Sequence, residues 1–226
     1  MKKIDVKFTH LVNNLERITQ NNSIFNKESG QKAFQSTYQG EYKDWLETLL
    51  PNTRIIIEPK IIGSSIGINY VNGQLNKVIN QNSFEITKRV QHIKSIPKCL
   101  PINNRIEISG ILYLDQNKNK NKKSILETKK VETKIKKINF CAFQILNCKI
   151  NHFQALKELK KLSFEVPQTQ FTNFTSDIEI YRQCWKEGRL FQSYPTRGMI
   201  LKVNSRKLQK LLGENNLLAN WSYSIN

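Results

Sequence analysis

Residues 54–81 read RIIIEPKIIGSSIGINYVNGQLNKVINQ, and this stretch carries the strongest local fold signals in the chain. Arg54 to Pro59 is an apolar, β-branched run, which is typical of a buried strand. Ser65 to Val71 is a second strand, and it is followed by Asn72-Gly73, a turn in which both positions tolerate positive φ. Gln74 to Gln81 is therefore expected to return antiparallel, so the stretch predicts a β-hairpin.

The rest of the chain interleaves strands and helices without a regular rhythm. Further strands are predicted at Arg105–Leu114, Asn139–Leu146, Met199–Val203 and Trp221–Ile225. Helices are predicted at Glu41–Leu50, Glu85–Ile96, Ser124–Lys137, His152–Leu162, Asp177–Lys186 and Ser205–Leu212. Because the βαβ rhythm of a doubly wound sheet is missing, we predict an α+β fold with antiparallel sheets flanked by helices. We expect one domain over residues 1–226, made of a helical lead-in at 1–53, a core at 54–226 and a Lys/Asn-rich insertion near 115–137.

Positive charge dominates the surface chemistry of the chain. Among 226 residues, 36 Lys and Arg stand against 18 Asp and Glu, which gives a formal net charge of +18. Such an imbalance favours a polyanionic partner, most often nucleic acid. The excess of lysine can also result from a general composition bias towards Lys, Ile and Asn. A composition bias and a polyanionic partner are compatible explanations of the charge. The insertion offers candidate phosphate contacts, or else a solvated, biased loop, at Lys118, Lys120, Lys122, Lys123, Lys129 and Lys130.

Several classes of protein are disfavoured. No apolar run approaches the roughly 20 residues that a membrane span needs, and no secretory signal follows Met1, so we expect no membrane partner and a cytoplasmic or organelle-matrix location. The three histidines are scattered, and no Cys-x-x-Cys pair is formed, so no metal site is predicted. Free thiols in a reducing compartment are expected for Cys99, Cys141, Cys148 and Cys184.

A series of local motifs resembles those of one enzyme family, both in the residues of each motif and in the order of the motifs along the chain. Glu58-Pro59-Lys60-Ile61-Ile62-Gly63 resembles the Glu-x-Lys-x-Asp-Gly motif of the NAD-dependent DNA ligases. Collinear matches are Thr9-His10-Leu11-Val12, Ile93-Lys94-Ser95-Ile96-Pro97, Arg105 to Ile111, Phe140 to Phe143, Arg197 to Asn204 and Trp221 to Asn226. The chain thus resembles the adenylation domain of that family, as a degenerate stand-alone homologue. The resemblance implies the ligase nucleotidyltransferase (ATP-grasp-like) fold, and we expect no NMN-binding, OB-fold, zinc, helix-hairpin-helix or BRCT domain.

The resemblance also implies roles for single residues. Lys60 stands where the family's lysine attacks the α-phosphate of NAD to form lysyl-AMP, although a relic or surface lysine is the alternative. Glu58 stands at the adenine-side carboxylate, with a simple pair to a local lysine as its alternative. Lys202 stands at a phosphate-contacting lysine, with mere closure of a strand as its alternative. Gly63 closes the first motif. Phe143 lies on the strand that stacks on adenine, with simple core packing as its alternative. NAD or AMP with magnesium would be the cofactors of an active chain.

Departures from the family pattern fall on the residues that would carry the chemistry. Ile62 replaces the acid after the nucleophile, and Ile111 replaces the glutamate that faces ribose and metal. Arg197 replaces an acid, and Asn226 replaces a phosphate-binding lysine. Isoleucine neither coordinates a metal nor accepts a hydrogen bond, so we predict no metal site and no required cofactor.

Three functions follow from these departures. The favoured hypothesis is an inactive, pseudoenzyme-like subunit that binds nucleic acid or a larger protein assembly. The first alternative is a divergent DNA ligase-type nucleotidyltransferase that forms lysyl-AMP on Lys60. The second alternative is a purely structural subunit.

Overall fold

The computed structural model describes residues 36–37, 40–115, 138–146, 148–215 and 218–226. In these ranges the strands are β1 (Ser36–Thr37), β2 (Ile55–Ile61), β3 (Ser64–Val71), β4 (Gln74–Asn80), β5 (Ile106–Leu114), β6 (Ile138–Ile145), β7 (Gln170–Thr172), β8 (Thr196–Val203), β9 (Glu214–Asn215), β10 (Leu218–Ala219) and β11 (Ser222–Ile225). The helices are α1 (Tyr42–Glu47), α2 (Thr87–Val90), α3 (His152–Lys161), α4 (Thr175–Lys186) and α5 (Arg206–Leu212). The predicted α+β class, with antiparallel sheets flanked by helices, is confirmed.

The first large sheet contains the predicted hairpin, formed by β3 and β4. Its strand order is β4-β3-β5-β6, and each neighbouring pair is antiparallel. The turn between β3 and β4 has positive φ at Asn72 (51°) and Gly73 (74°), as a two-residue hairpin turn requires. One face packs against α3 around the fully buried Tyr70, Phe140 and Leu159. This sheet therefore has a hydrophobic core of its own.

The second large sheet has the order β11-β8-β2-β7 and is also antiparallel. Its core joins Trp45 of α1 and Ile178 of α4 to Met199 and Leu201 of β8. The link from β2 to the first sheet is only Ile62-Gly63. A Cβ atom on Gly63 would lie 2.1 Å from the Leu112 carbonyl oxygen, so the glycine lets the link pass close to β5. A small sheet, β1-β10-β9, completes the sheets of the described ranges.

Some element boundaries differ from the sequence prediction. The prediction of a helix over Glu85–Ile96 was wrong beyond one turn, since only α2 is helical in this segment. After α2, the backbone N–H groups of Ile93 and Ile96 donate to the carbonyl three residues earlier, and these turns bury both side chains. The short strand β7 was missed, since three residues carry too little pattern. The predicted helix Ser124–Lys137, and residues 1–35 of the lead-in, lie outside the described residues. Of the helices that the structure describes, none is long and apolar enough to span a bilayer.

Candidate functional site

A cavity of about 150 Å³ lies where the two large sheets face each other. One wall comes from Glu58 of β2 with Lys202 of β8, and the other comes from Ile111 of β5 with Phe143 of β6. The remaining lining residues are Pro59, Ile61, Ser65, Cys141, Gln144, Pro167, Ile200, Ala219, Trp221 and Ser222. The cavity is smaller than the roughly 300–1,000 Å³ of typical small-molecule sites.

Glu58 is held by two partners at the cavity wall. One carboxylate oxygen accepts a hydrogen bond from Lys202 Nζ at 2.7 Å, and the other lies 2.6 Å from His152 Nε2. The three side chains are nearly inaccessible, with exposed fractions of 3% for Glu58, 8% for Lys202 and 5% for His152. Burial raises the pKa of Glu58, but the Lys202 ammonium and the His152 ring outweigh burial and lower this pKa from 4.5 to about 2. Glu58 is therefore ionised, and each of its two oxygens has a partner.

His152, the third member of this network, was missed in the sequence-based prediction, because the three histidines are scattered along the chain and form no motif. It begins α3, and its backbone N–H donates to the Asn204 carbonyl at 3.0 Å. Burial lowers the pKa of His152, so its ring is neutral. Since ionised Glu58 only accepts hydrogen bonds, Nε2 carries the proton and donates. His152 lies on the buried face of the helix with Ala155, Leu156 and Leu159, and this apolar spacing is the signal that could have identified it.

Two aromatic residues line the cavity beside this network. Lys202 Nζ lies 4.9 Å from the centroid of the Phe143 ring, a cation–π distance. Trp221 is 4% exposed, and its indole N–H has no hydrogen-bond partner among the described residues. Trp221 belongs to the core of the second sheet as well as to the cavity wall, so core packing and cavity lining coincide for this residue.

Lys60 does not line the cavity. Its Nζ donates to the Asn226 side-chain oxygen at 2.8 Å. Burial first, and then the positive charge of Arg197, lower the pKa of Lys60. The structure thus gathers Lys60, Asn226 and Arg197, three positions that the sequence singled out separately.

The other predicted positions divide between the cavity and its surroundings. Ile111 lines the cavity, where it fills space with a side chain that cannot bind a metal or a ribose. Ile62 is not part of the lining, and its backbone N–H donates to the Pro195 carbonyl at 2.7 Å. Gly63 contacts the β5 backbone instead of the cavity. Lys118, Lys120, Lys122, Lys123, Lys129 and Lys130 lie outside the described residues.

A divalent ion does not fit the residues at this site. The two positions where the family resemblance expects acids hold Ile62 and Ile111, and Glu58 already has both oxygens engaged. Within the described ranges, no group of three or more His, Cys, Asp and Glu residues is arranged to hold a metal ion. An adenine nucleotide that used this carboxylate would have to share its oxygens with Lys202 and His152.

Comparison with known proteins gives a consistent set of relatives. The family model for the NAD-dependent DNA ligase adenylation domain matches residues 13–133. The chain is 23% identical to a DNA ligase of Metamycoplasma arthritidis, with 95% of the chain and 36% of the relative covered. It is 24% identical to a DNA ligase of Endomicrobium trichonymphae, with 98% and 42% covered. The chain spans about two fifths of the length of these curated relatives.

Solved structures of ligases resemble the chain more distantly. A Lig E DNA ligase gives a TM-score of 0.48 at 13% identity, with 76% of this chain and 62% of that chain covered. The ATP-dependent DNA ligase of bacteriophage T7 in complex with ATP gives 0.45 at 12% identity, with 77% and 64% covered.

Proposed function

The chain belongs to the NAD-dependent DNA ligase adenylation domain family, and we propose that it is a catalytically inactive member that binds nucleic acid as a basic accessory subunit. The observation that carries the proposal is the buried Lys202–Glu58–His152 network. The family resemblance assigns Glu58 and Lys202 to contacts with a nucleotide. Here the Glu58 carboxylate accepts a hydrogen bond from the Lys202 ammonium, so the two groups are paired with each other inside the chain.

The chemistry of adenylation supports the same proposal. Attack of a lysine on an α-phosphate builds negative charge that needs cationic or metal stabilisation, and removal of one stabilising group commonly raises the barrier by about 3–4 kcal/mol. Ile111 inside the cavity supplies neither a metal ligand nor a hydrogen-bond acceptor. A nucleotide bound here would lack these helpers even if it opened the network.

The proposed partner follows from charge. A net charge of +18 attracts a polyanion over long distances, and nucleic acid is the most abundant polyanion in a cell. Phosphate contacts made by lysine and arginine need no sequence preference. The chain would then contribute to an assembly on nucleic acid by binding the phosphate backbone, without NAD, AMP or magnesium.

A second candidate function is favoured by Lys60 itself. A lysine nucleophile reacts in its neutral form, and burial and Arg197 both lower the pKa of Lys60. This feature suits a divergent nucleotidyltransferase that forms lysyl-AMP on Lys60.

One labelling experiment separates the two functions. The purified chain is incubated with magnesium and NAD or ATP that carries a label on the adenylate, and protein-bound label is measured after denaturation. We expect no labelled protein. Label that is lost in Lys60→Ala but kept in Lys186→Ala, a change at an exposed lysine of α4, would establish the second candidate and refute inactivity.

Binding to nucleic acid is tested by salt titration. The affinity for single-stranded and double-stranded DNA and RNA is expected to fall steeply as salt rises, because each phosphate contact releases a counterion. Absence of binding to all four at low salt would leave a purely structural subunit as the better description.

A further inference from the structure

Two cations and two aromatic rings form a continuous row of contacts at the end of β2 that lies opposite to Lys60. The Arg54 guanidinium carbon lies over the Phe171 ring, 4.7 Å from its centroid. The rings of Phe171 and Phe153 meet edge to face, with their centroids 4.5 Å apart. Lys157 Nζ lies over the Phe153 ring, 4.7 Å from its centroid. The two cations thus bracket the two rings, and we call these residues the aromatic row.

The aromatic row is built on fixed elements of the fold. Phe171 lies on β7, the edge strand of the second sheet, opposite Ile56 of β2. Phe153 lies in the first turn of α3. Asn204 joins the sheet to the helix, because its backbone N–H donates to the Arg54 carbonyl at 2.9 Å and its side-chain oxygen accepts from the Phe153 N–H at 3.0 Å. Backbone contacts therefore hold the row in place.

The aromatic row is open to solvent and keeps its positive charge. Arg54 and Lys157 are exposed, and the two rings are only partly buried. Neither cation forms an ion pair with a carboxylate of the described part of the chain. Glu158, the neighbour of Lys157 along the chain, pairs instead with Lys161 at 2.7 Å. Two charges that rest on rings are thus available to an anionic partner.

We propose that the aromatic row binds single-stranded nucleic acid. Cations that follow the phosphate backbone, combined with aromatic side chains on which bases stack, are the features by which proteins hold single strands. Arg54 and Lys157 contact phosphates, while unpaired bases stack on the Arg54 guanidinium and on the exposed parts of the rings. In a duplex the bases stack on one another and cannot reach the rings, so the row favours the single strand.

This surface is separate from the cavity. None of its residues lines the cavity, and the extended strand from Arg54 to Lys60 spans roughly 20 Å. The inference rests on the proposed nucleic-acid-binding function and assigns that function to one face of the chain. A strand can therefore bind here while the Lys202–Glu58–His152 network stays closed.

The first test measures the affinity for labelled single-stranded DNA and RNA, and for the matching duplexes, by fluorescence anisotropy at low salt. Phe171→Leu keeps an apolar side chain but removes the ring, so it should weaken single-strand binding roughly tenfold and duplex binding less than about twofold. Phe171→Tyr keeps a ring and should bind single strands as tightly as the unaltered chain. Equal losses for single strand and duplex in Phe171→Leu would overturn base stacking.

The second test concerns the two cations, whose exposed positions allow substitution without loss of the fold. Arg54→Gln and Lys157→Gln should each flatten the plot of log affinity against log salt by about 0.7, as expected for one lost phosphate contact to a single strand. Lys186→Gln, at an exposed lysine of α4, should leave this slope and the preference for single strands unchanged. Thermal melts of each variant confirm that it is folded.

The outcomes separate this surface from the proposed function. If single strands bind but the Arg54 and Lys157 variants behave like Lys186→Gln, the aromatic row is not the binding surface, while nucleic-acid binding stands. This comparison holds even if Phe171→Leu does not fold. If no oligonucleotide binds the unaltered chain at low salt, the proposed function fails, and the assignment of this surface fails with it.

Discussion

Replacing Lys202 by methionine is expected to destabilise the folded chain by about 3–5 kcal/mol, as removal of one partner from a buried ion pair commonly does. Methionine keeps most of the volume of the lysine side chain and removes only its charge and hydrogen bond. Glu58 would then keep His152 as its partner, in a site where its side chain is 3% exposed.

The magnitude can be worked from Glu58. Without the Lys202 ammonium, the buried carboxylate keeps only the neutral His152 ring as its partner, and protonation of Glu58 on folding is one way to remove the uncompensated charge. Protonation at pH 7 of a carboxyl whose ordinary pKa is 4.5 costs about 3.5 kcal/mol, at roughly 1.4 kcal/mol for each pH unit. This value agrees with the lower end of the range for a broken buried pair.

Urea denaturation at pH 7, monitored by tryptophan fluorescence, measures the change in the free energy of unfolding. Glu58→Gln combined with Lys202→Met removes both charges, and should recover more than half of the loss caused by Lys202→Met alone. Lys186→Met, at an exposed site of α4, should change the free energy of unfolding by less than about 0.5 kcal/mol. A loss below about 1 kcal/mol for Lys202→Met would refute the reasoning. Lys202 would then be free of Glu58, and the proposed inactivity would lose its main support.

Three further predictions concern stability. Gly198→Ala should destabilise the folded chain by at least about 3 kcal/mol in thermal melts, because the positive φ and the 2.0 Å approach to a carbonyl oxygen both exclude a methyl group. Gly188→Ala is the control: this glycine has positive φ but no atom within 4 Å, so its replacement should cost only about 1 kcal/mol. The melting temperature should fall as pH drops below 6.5, because His152 gains a proton in the unfolded chain but not in the buried, folded site. It should fall again from pH 4.5 to about 2, because Glu58 is then protonated in the unfolded chain but not in the folded one. A constant melting temperature from pH 7 to 4 would contradict this. Ser205→Ala removes the acceptor that caps α5 and should cost about 1 kcal/mol in urea, whereas no measurable loss would show that the cap is unimportant.

The hairpin of β3 and β4 could be predicted from sequence because its information is local. Asn72 and Gly73 specify the turn, and the apolar runs beside them specify the strands. The same holds for α3 and α5, whose apolar spacing and flanking residues mark them within a short window. Positions of the family motifs could also be found, since they are read in linear order.

The partners of buried polar residues could not be predicted in this way. His152 is 94 residues from Glu58, and Lys202 is 144 residues from it, so only the packing of the two sheets and α3 brings them together. Equally, nothing local in the sequence indicates that Lys60 reaches across Gly198 to Asn226, which is 166 residues away along the chain. The sequence identified the altered positions, but not which of them face the cavity and which meet at its outside.

The buried network also bears on how the chain can change over generations. Folded proteins are stable by only about 5–15 kcal/mol, so a single substitution at Glu58 or Lys202 that removes about 3–5 kcal/mol endangers the fold itself. Natural selection would remove such substitutions whether or not the chain ever transfers an adenylate. In a lineage that has lost catalysis, Glu58 and Lys202 would therefore persist as a pair, and their persistence would record folding, not activity.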